Sequence, residues 1–154
     1  MNYSAAVITV SDKYDDTVSP AIERMLSDAG FEMIYTNILP LERAAVSSEL
    51  QKCAAKLMAN VVITLGGTGL SPRDITPEAT LDVLDREIPA ITQAMLFYSL
   101  NITPRAMLTH AVAGVRDKSL IINLPGSEKA AKENLSAIIG TLRHAVQMVS
   151  GGDN

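Results

Sequence analysis

Val61-Val62-Ile63-Thr64-Leu65-Gly66-Gly67-Thr68-Gly69-Leu70-Ser71-Pro72-Arg73-Asp74-Ile75-Thr76-Pro77-Glu78-Ala79-Thr80 runs a buried-strand pattern into a glycine cradle and then a proline-braced acid. The β-branched and aliphatic residues predict a strand. Three glycines in four positions let backbone N–H groups converge without Cβ obstruction, and Thr68 adds a hydroxyl donor. That order predicts an anion site with phosphate as its guest; the same spacing also suits a tight turn that lets a helix pack closely on the sheet. No lysine follows in the G-x-x-x-x-G-K-[ST] manner and G-x-G-x-x-G is not met, so neither a Walker-type NTPase nor a dinucleotide dehydrogenase is supported.

On the N-terminal side, Ala5 to Ser11 reads as a first buried strand, and Ile22, Met25, Leu26 and Ala29 share one face of a helix from about Ser19 to Gly30. Glu32 to Leu39 reads as a second strand stopped by Pro40. Val46, Leu50, Cys53, Ala54 and Leu57 then return to helical spacing before Val61. On the C-terminal side, Thr76 to Leu84 reads as a helix with Pro77 near its first position, and Ala90 to Leu100 as another, closed by Pro104. Ala106 to Ala113 and Ser119 to Leu124 read as a hairpin joined by Gly114 to Lys118, a link too short for a parallel crossover. The last helix, about Ser127 to Ser150, carries Ala131, Leu135, Ile138, Leu142 and Val146 in a wide apolar stripe. This alternation predicts one α/β domain over residues 1–150, three-layered, with a mostly parallel sheet, one antiparallel edge region and helices on both faces. Gly151-Gly152-Asp153-Asn154 reads as a flexible tail.

With 154 residues and 47% hydrophobic content, the chain buries one core and is too short for two ordinary domains. Its apolar runs stop short of membrane-spanning length, and its start enters a strand without a basic n-region or cleavage site, so a soluble, cytoplasmic protein is expected. Cys53 is the only cysteine, which excludes an internal disulfide; with His110 and His144 it makes no zinc spacing and is expected in the core. A net charge of −4, with no basic run, is the wrong sign for non-specific nucleic-acid binding. Neither a nucleic acid nor a membrane is an expected partner.

Parallel strands bring their carboxyl ends to one edge, where ligands of open α/β sheets bind. Four elements fall there: Ser11-Asp12, Leu39-Pro40-Leu41-Glu42, Gly66 to Gly69, and Leu124-Pro125-Gly126-Ser127. In the last, Gly126 permits a tight turn and Ser127 suits a helix cap, whose orphan N–H groups attract an anion; a purely structural cap reads the same residues equally well. Asp74 lies five residues beyond Gly69, between Pro72 and Pro77. Next to phosphate, such a carboxylate calls for Mg²⁺ between the two anions, whereas a helix cap or a salt bridge to Arg73 are its structural alternatives. Asp12 and Glu42 are further oxygen donors or else solvated loop charges. His110 is expected in or beside a strand rather than on a metal.

Leu-Gly-Gly-Thr-Gly-Leu-Ser-Pro-Arg-Asp-Ile-Thr-Pro-Glu-Ala-Thr at 65–80 and Asn-Leu-Pro-Gly-Ser at 123–127 resemble the molybdenum cofactor biosynthesis family, which includes bacterial molybdopterin adenylyltransferase and the G domains of gephyrin and plant Cnx. The likeness continues through Ala-Val-Ile-Thr-Val-Ser-Asp at 6–12 and Ser-Leu-Asn-Ile-Thr-Pro-Arg-Ala-Met-Leu at 99–108. It implies an α/β fold, commonly homotrimeric, that binds molybdopterin and adenylylates it from Mg-ATP with release of pyrophosphate, ahead of a molybdate-insertion protein. Carried over residue by residue, Ser11, Asp12, Gly66, Gly67, Thr68, Gly69, Pro125, Gly126 and Ser127 would hold phosphate, pterin or nucleotide. Asp74 would be the catalytic acid that places Mg²⁺, with Glu42 as a second donor. The sequence departs from the family at Pro40-Leu41-Glu42, where the pattern is Pro-Asp followed by an acid, and Leu41 cannot bind magnesium. The loop after Asp12 is short, Val18 stands where a small residue is common, and Gln93, Leu96 and His110 replace positions often Glu, Arg and Arg. The resemblance thus implies an adenylyltransferase, with a non-catalytic molybdopterin carrier or degenerate paralogue as the alternative and a scaffold module third.

Overall fold

β3 (Val61–Leu65) is buried at every position because the sheet around it is covered on both faces. The computed structural model describes residues 2–152; Met1, Asp153 and Asn154 lie outside the described residues. β3 pairs in parallel with β1 (Tyr3–Val10) on one side and with β6 (Ser119–Leu124) on the other. β2 (Phe31–Leu39) adds in parallel to β1 and forms that edge. Beyond β6 come β5 (Ala113–Arg116) and the two-residue β4 (Arg86–Glu87), giving the order β2-β1-β3-β6-β5-β4. β5 runs antiparallel to both of its neighbours, so it alone reverses direction.

The period-2 alternation of the strands divides the core in two. On one face Val7, Ile63 and Ile122 meet Ile22 and Leu26 of α1 (Ser19–Asp28), Met95 of α4 (Pro89–Leu100), and Leu135 and Leu142 of α5 (Glu128–Val149). On the other, Ile8, Val62 and Ile121 meet Val46 and Leu50 of α2 (Arg43–Gln51) and Ala79 of α3 (Thr76–Leu81). A wider π turn over Lys52–Lys56 extends α2 and carries Cys53 into this second cluster, as expected for a core thiol. From β1 the chain steps outward to β2 through α1, then returns past β1 to β3 through α2 on the opposite face. The crevice between the carboxyl ends of β1 and β3 is therefore the topological switch point of the sheet.

Several boundaries differ from the sequence reading. The strand expected over Ala106 to Ala113 is a 3₁₀ turn, Pro104–Met107, followed by irregular chain, and pairing starts only at Ala113. Thr103 caps the turn by accepting the Arg105 N–H, and Met107 and Leu108 stay more than half exposed, so their apolar character marks surface rather than strand. The hairpin turn accordingly shrinks to Asp117-Lys118, with Asp117 in the left-handed region at φ +52°. α3 stops at Leu81 instead of Leu84, and β4 falls where no strand was expected. At the C-terminus, the first two residues of the expected tail bond back to α5, through Gly151 N–H to Met148 and Gly152 N–H to Gln147. No helix among the described residues is long and apolar enough to cross a membrane.

Candidate ligand site at the strand ends

Register sets the site. Leu65 lies beside Thr9 of β1 and Leu124 of β6, so Ser11, Gly66 and Pro125 leave the sheet at nearly one level. Gly66 donates its N–H to Leu124 O at 3.0 Å, and Gly67 O accepts the Thr76 N–H at 3.1 Å, which ties both ends of the loop to β6 and α3. Gly66 and Gly67 sit at φ +101° and +71°, conformations that favour glycine. A Cβ on Gly126 would lie 3.2 Å from Gly66 Cα, so the two glycine cradles touch and form one ridge. Among the described residues, the amide N–H groups of Gly67, Thr68 and Gly69 donate to no protein acceptor. Ser127 Oγ caps α5 by accepting the Ala130 N–H, leaving the other first-turn N–H groups of this 22-residue helix beside the ridge.

Beneath the ridge lies a fully paired polar network. Asn123 donates through Nδ2 to Thr64 Oγ1 at 2.9 Å and Thr80 Oγ1 at 3.0 Å, and its Oδ1 accepts the Val112 N–H. All three side chains are buried, so this network fixes β3, β6 and α3 relative to one another just under the loop.

A pocket opens on each side of the ridge. The first, about 420 Å³, is lined by Thr68, Gly69 and Pro125 together with Ser99, Arg105 and Asn134. The second, about 660 Å³, is lined by Ser11, Asp12, Gly66, Gly67 and Arg73 at the switch point. Gly126 and Ser127 belong to both walls. Thr9 also lines the second pocket; only 5% exposed, its hydroxyl has no hydrogen-bond partner among the described residues. A buried hydroxyl on a cavity wall is a candidate hydrogen-bonding group for a bound ligand. Sequence reading gave Thr9 no role, because it is embedded in a strand pattern.

The charged residues are arranged differently from the expectation. Arg73 pairs with Asp12, not with Asp74, and Asp12 also accepts the Leu41 N–H at 2.9 Å. The guanidinium and that N–H hold the Asp12 carboxyl below the usual carboxylate range. Asp74 is half-buried against Gly69, where its Oδ2 accepts the Ser71 N–H at 2.9 Å. It does not cap α3, whose N-cap is Ile75, and it stands beside Gly69 rather than on the wall of either pocket. Glu42 begins α2, exposed and outside both pockets, near enough to Arg73 to help raise its pKa. The side chain of Leu41 lies over Gly67, 2.8 Å from where a Cβ on that glycine would be.

His110 lies in irregular chain ahead of β5 and reaches the back of the glycine loop. Its ring Nδ1 is 3.1 Å from Thr68 O, its Nε2 is 2.9 Å from Glu78 Oε2 on α3, and its backbone N–H also bonds to Thr68 O. Hydrogen bonding to Glu78 outweighs burial and raises the imidazole above its ordinary value of 6.5. The stability this pair supplies is complete below about pH 6.5 and is lost as pH rises through the raised value. The denaturation midpoint of the protein should therefore fall as pH rises from about 6.5 through the raised value, and fall less in Glu78→Gln, whose ring has no carboxylate partner. Identical pH profiles for the two proteins in urea titrations would remove the pair from the stability account.

A switch-point crevice, a ridge of two glycine cradles and a pocket on each flank define a doubly wound α/β protein with a candidate ligand site at its strand ends. The chain belongs to the molybdenum cofactor biosynthesis family: the family model described as "Probable molybdopterin binding domain" matches residues 6–144. It is 36% identical over 152 residues to the molybdopterin adenylyltransferase of Helicobacter pylori, covering 94% of this chain and 86% of that protein. The molybdopterin biosynthesis enzyme MoaB from Thermus thermophilus has the same fold, with a TM-score of 0.92 and 41% identity over 97% of each chain. The molybdenum cofactor synthesis protein cinnamon of Drosophila melanogaster is 36% identical over 93% of this chain, which spans only 25% of cinnamon's length.

Proposed function

We propose that the protein binds molybdopterin and transfers AMP to its terminal phosphate from Mg-ATP in the cytoplasm, as a molybdopterin adenylyltransferase. The observation that carries this reading is the shared ridge, where unpartnered N–H groups stand between two pockets with a common wall. Two ligands that each set a phosphate on the ridge have their reacting groups brought together, which turns a bimolecular step into a local one. An oxygen of the molybdopterin phosphate attacks the α-phosphorus of ATP, the bond from that phosphorus to the bridging oxygen breaks, and pyrophosphate leaves. The chain's part is alignment and the stabilisation of phosphate charge by the N–H groups of Gly67 to Gly69 and of the α5 start, with Ser11, Asp12 and Pro125 shaping the walls.

Magnesium fits this donor set. The described residues hold no cluster of three His, Cys, Asp or Glu side chains, but Mg²⁺ is commonly held by one or two carboxylates plus ligand phosphates and waters. Asp74, beside Gly69, is the carboxylate we assign to it, with Glu42, exposed at the start of α2, as the second donor that the family resemblance implies. When bound, the ion supplies charge neutralisation on the phosphates. The uncovered apolar surface of α4, where Phe97 is 77% exposed next to Tyr98, supports association with another copy, as the homotrimer that the family resemblance implies, and the product passes to a molybdate-insertion protein.

The second reading, a molybdopterin carrier without transferase activity, is favoured by Leu41, an apolar side chain over Gly67 where the family places an acid. A single-turnover assay with molybdopterin, ATP and Mg²⁺, with binding recorded on the same sample, separates the two. Adenylylated product supports the transferase; binding without product, beside a competent relative as control, supports the carrier. Leu41→Asp should raise the transfer rate about tenfold with little change in molybdopterin affinity, since the new acid acts on the reaction step. An unchanged rate in that variant would count against a metal role for this position.

A further inference from the structure

We propose that His110, held by Glu78, is a positioning residue that aims the Gly69 N–H at the bound anion, and that it does so only in its protonated form. The inference rests on the phosphate-cradle reading given above. A carbonyl oxygen can only accept, so the Nδ1 facing Thr68 O must donate; a carboxylate can only accept, so the Nε2 facing Glu78 must donate as well. Only the imidazolium carries both protons. Either neutral tautomer sets a nitrogen lone pair against an oxygen about 3 Å away, in one case Thr68 O and in the other the Glu78 carboxylate.

The consequence for the loop follows from peptide geometry. Thr68 O and the Gly69 N–H belong to one peptide unit, which is trans, so they point to opposite sides. Drawing the carbonyl toward His110 fixes the N–H on the side away from the ring, and polarising the carbonyl strengthens that N–H as a donor. Thr68 and Gly69 both line the first pocket, and the Gly69 N–H has no protein acceptor among the described residues. Thr68 O also accepts from the His110 backbone N–H and the Thr109 hydroxyl, so the peptide is held from one side by three donors, of which only the imidazole can lose its proton near neutrality.

The charged surroundings of the ring are few. Glu78 on α3 faces it directly; on the loop side, among the described residues, it meets the carbonyls of Thr68 and Gly69. Behind Glu78, Arg43 of α2 is engaged by Asp82, and Asp74, the other acid at this loop, is turned to Ser71. The geometry thus gives the cradle a titratable support, full below the His110 midpoint and released above it.

The test uses the full chain without ligand first. In amide NMR spectra recorded across pH, the Gly69 resonance should move with the same midpoint as the His110 ring. Both midpoints should drop together in Glu78→Gln, and the Gly69 titration should vanish in His110→Arg, a permanent cation. Inorganic pyrophosphate then serves as the probe. Its affinity for the wild-type protein should fall about tenfold across that midpoint, the scale of one charge-assisted hydrogen bond, relative to His110→Arg under the same conditions. That ratio cancels the probe's own ionisation. A Gly69 resonance that ignores the ring, or equal pH profiles of affinity in the two proteins, overturns the proposal. Failure of the cradle reading looks different: pyrophosphate binds no variant at any pH while Gly69 still follows the ring, which leaves the positioning of the peptide intact and removes its ligand.

Discussion

Gly66→Ala is expected to cost roughly 3–5 kcal/mol of stability and to abolish ligand binding. At φ +101° an L-residue is strained whatever space surrounds it, and a Cβ would also stand 2.6 Å from Val10 O. That obstacle is the backbone at the carboxyl end of β1, which is paired on both sides, so no side chain can swing aside; the strand, the loop or both must move. Moving the loop breaks the Gly66 N–H bond to Leu124 and with it the placement of the three free N–H groups that follow. Gly140→Ala is the control. Gly140 lies within α5 with nothing within 4 Å of an added Cβ, so alanine there should stabilise by about 0.5–1 kcal/mol. Urea midpoints for the pair should move in opposite directions, and a Gly66→Ala protein as stable as wild type would refute the constraint at this turn.

Asp74→Asn should reduce adenylyl transfer by about 10²–10³-fold, the several kcal/mol expected when charge neutralisation at a phosphate is lost. Molybdopterin affinity should change little. The amide keeps an oxygen for the Ser71 N–H, so the turn survives and the substitution removes charge alone. Read as kinetics, the loss belongs in the single-turnover rate rather than in the binding constant, and raising Mg²⁺ should recover part of it. A variant with the wild-type rate would take Asp74 out of the chemistry and leave it as a loop acceptor.

The sheet was legible in the sequence wherever a strand is buried on both faces, because such a strand must be apolar throughout; Val61–Leu65 and Ser119–Leu124 were read to the residue. It was not legible over Ala106 to Ala113, where exposed Met107 and Leu108 imitate a strand while Thr103 and Pro104 turn the chain into a 3₁₀ segment. β4 carried no local signal, since two residues become a strand only by meeting β5 across a long stretch of chain. At the site, both glycine cradles could be read because a backbone that approaches a ligand or another backbone requires glycine locally. Partner choice could not: Arg73 passes over its neighbour Asp74 to reach Asp12, and His110 finds Glu78, contacts that only the folded topology creates.

The placement of Cys53 has a consequence for handling and for ligand chemistry. It is fully buried under α2, and burial pushes its thiol up to about 12, so at neutral pH the protein presents no thiolate to solvent. Thiol-directed alkylating reagents and disulfides find no thiolate on the folded chain, and dimers cross-linked through sulfur would report unfolding rather than assembly. A sulfur-bearing ligand held at the strand ends would meet no protein thiol there, and so could not be lost to a mixed disulfide with its own host.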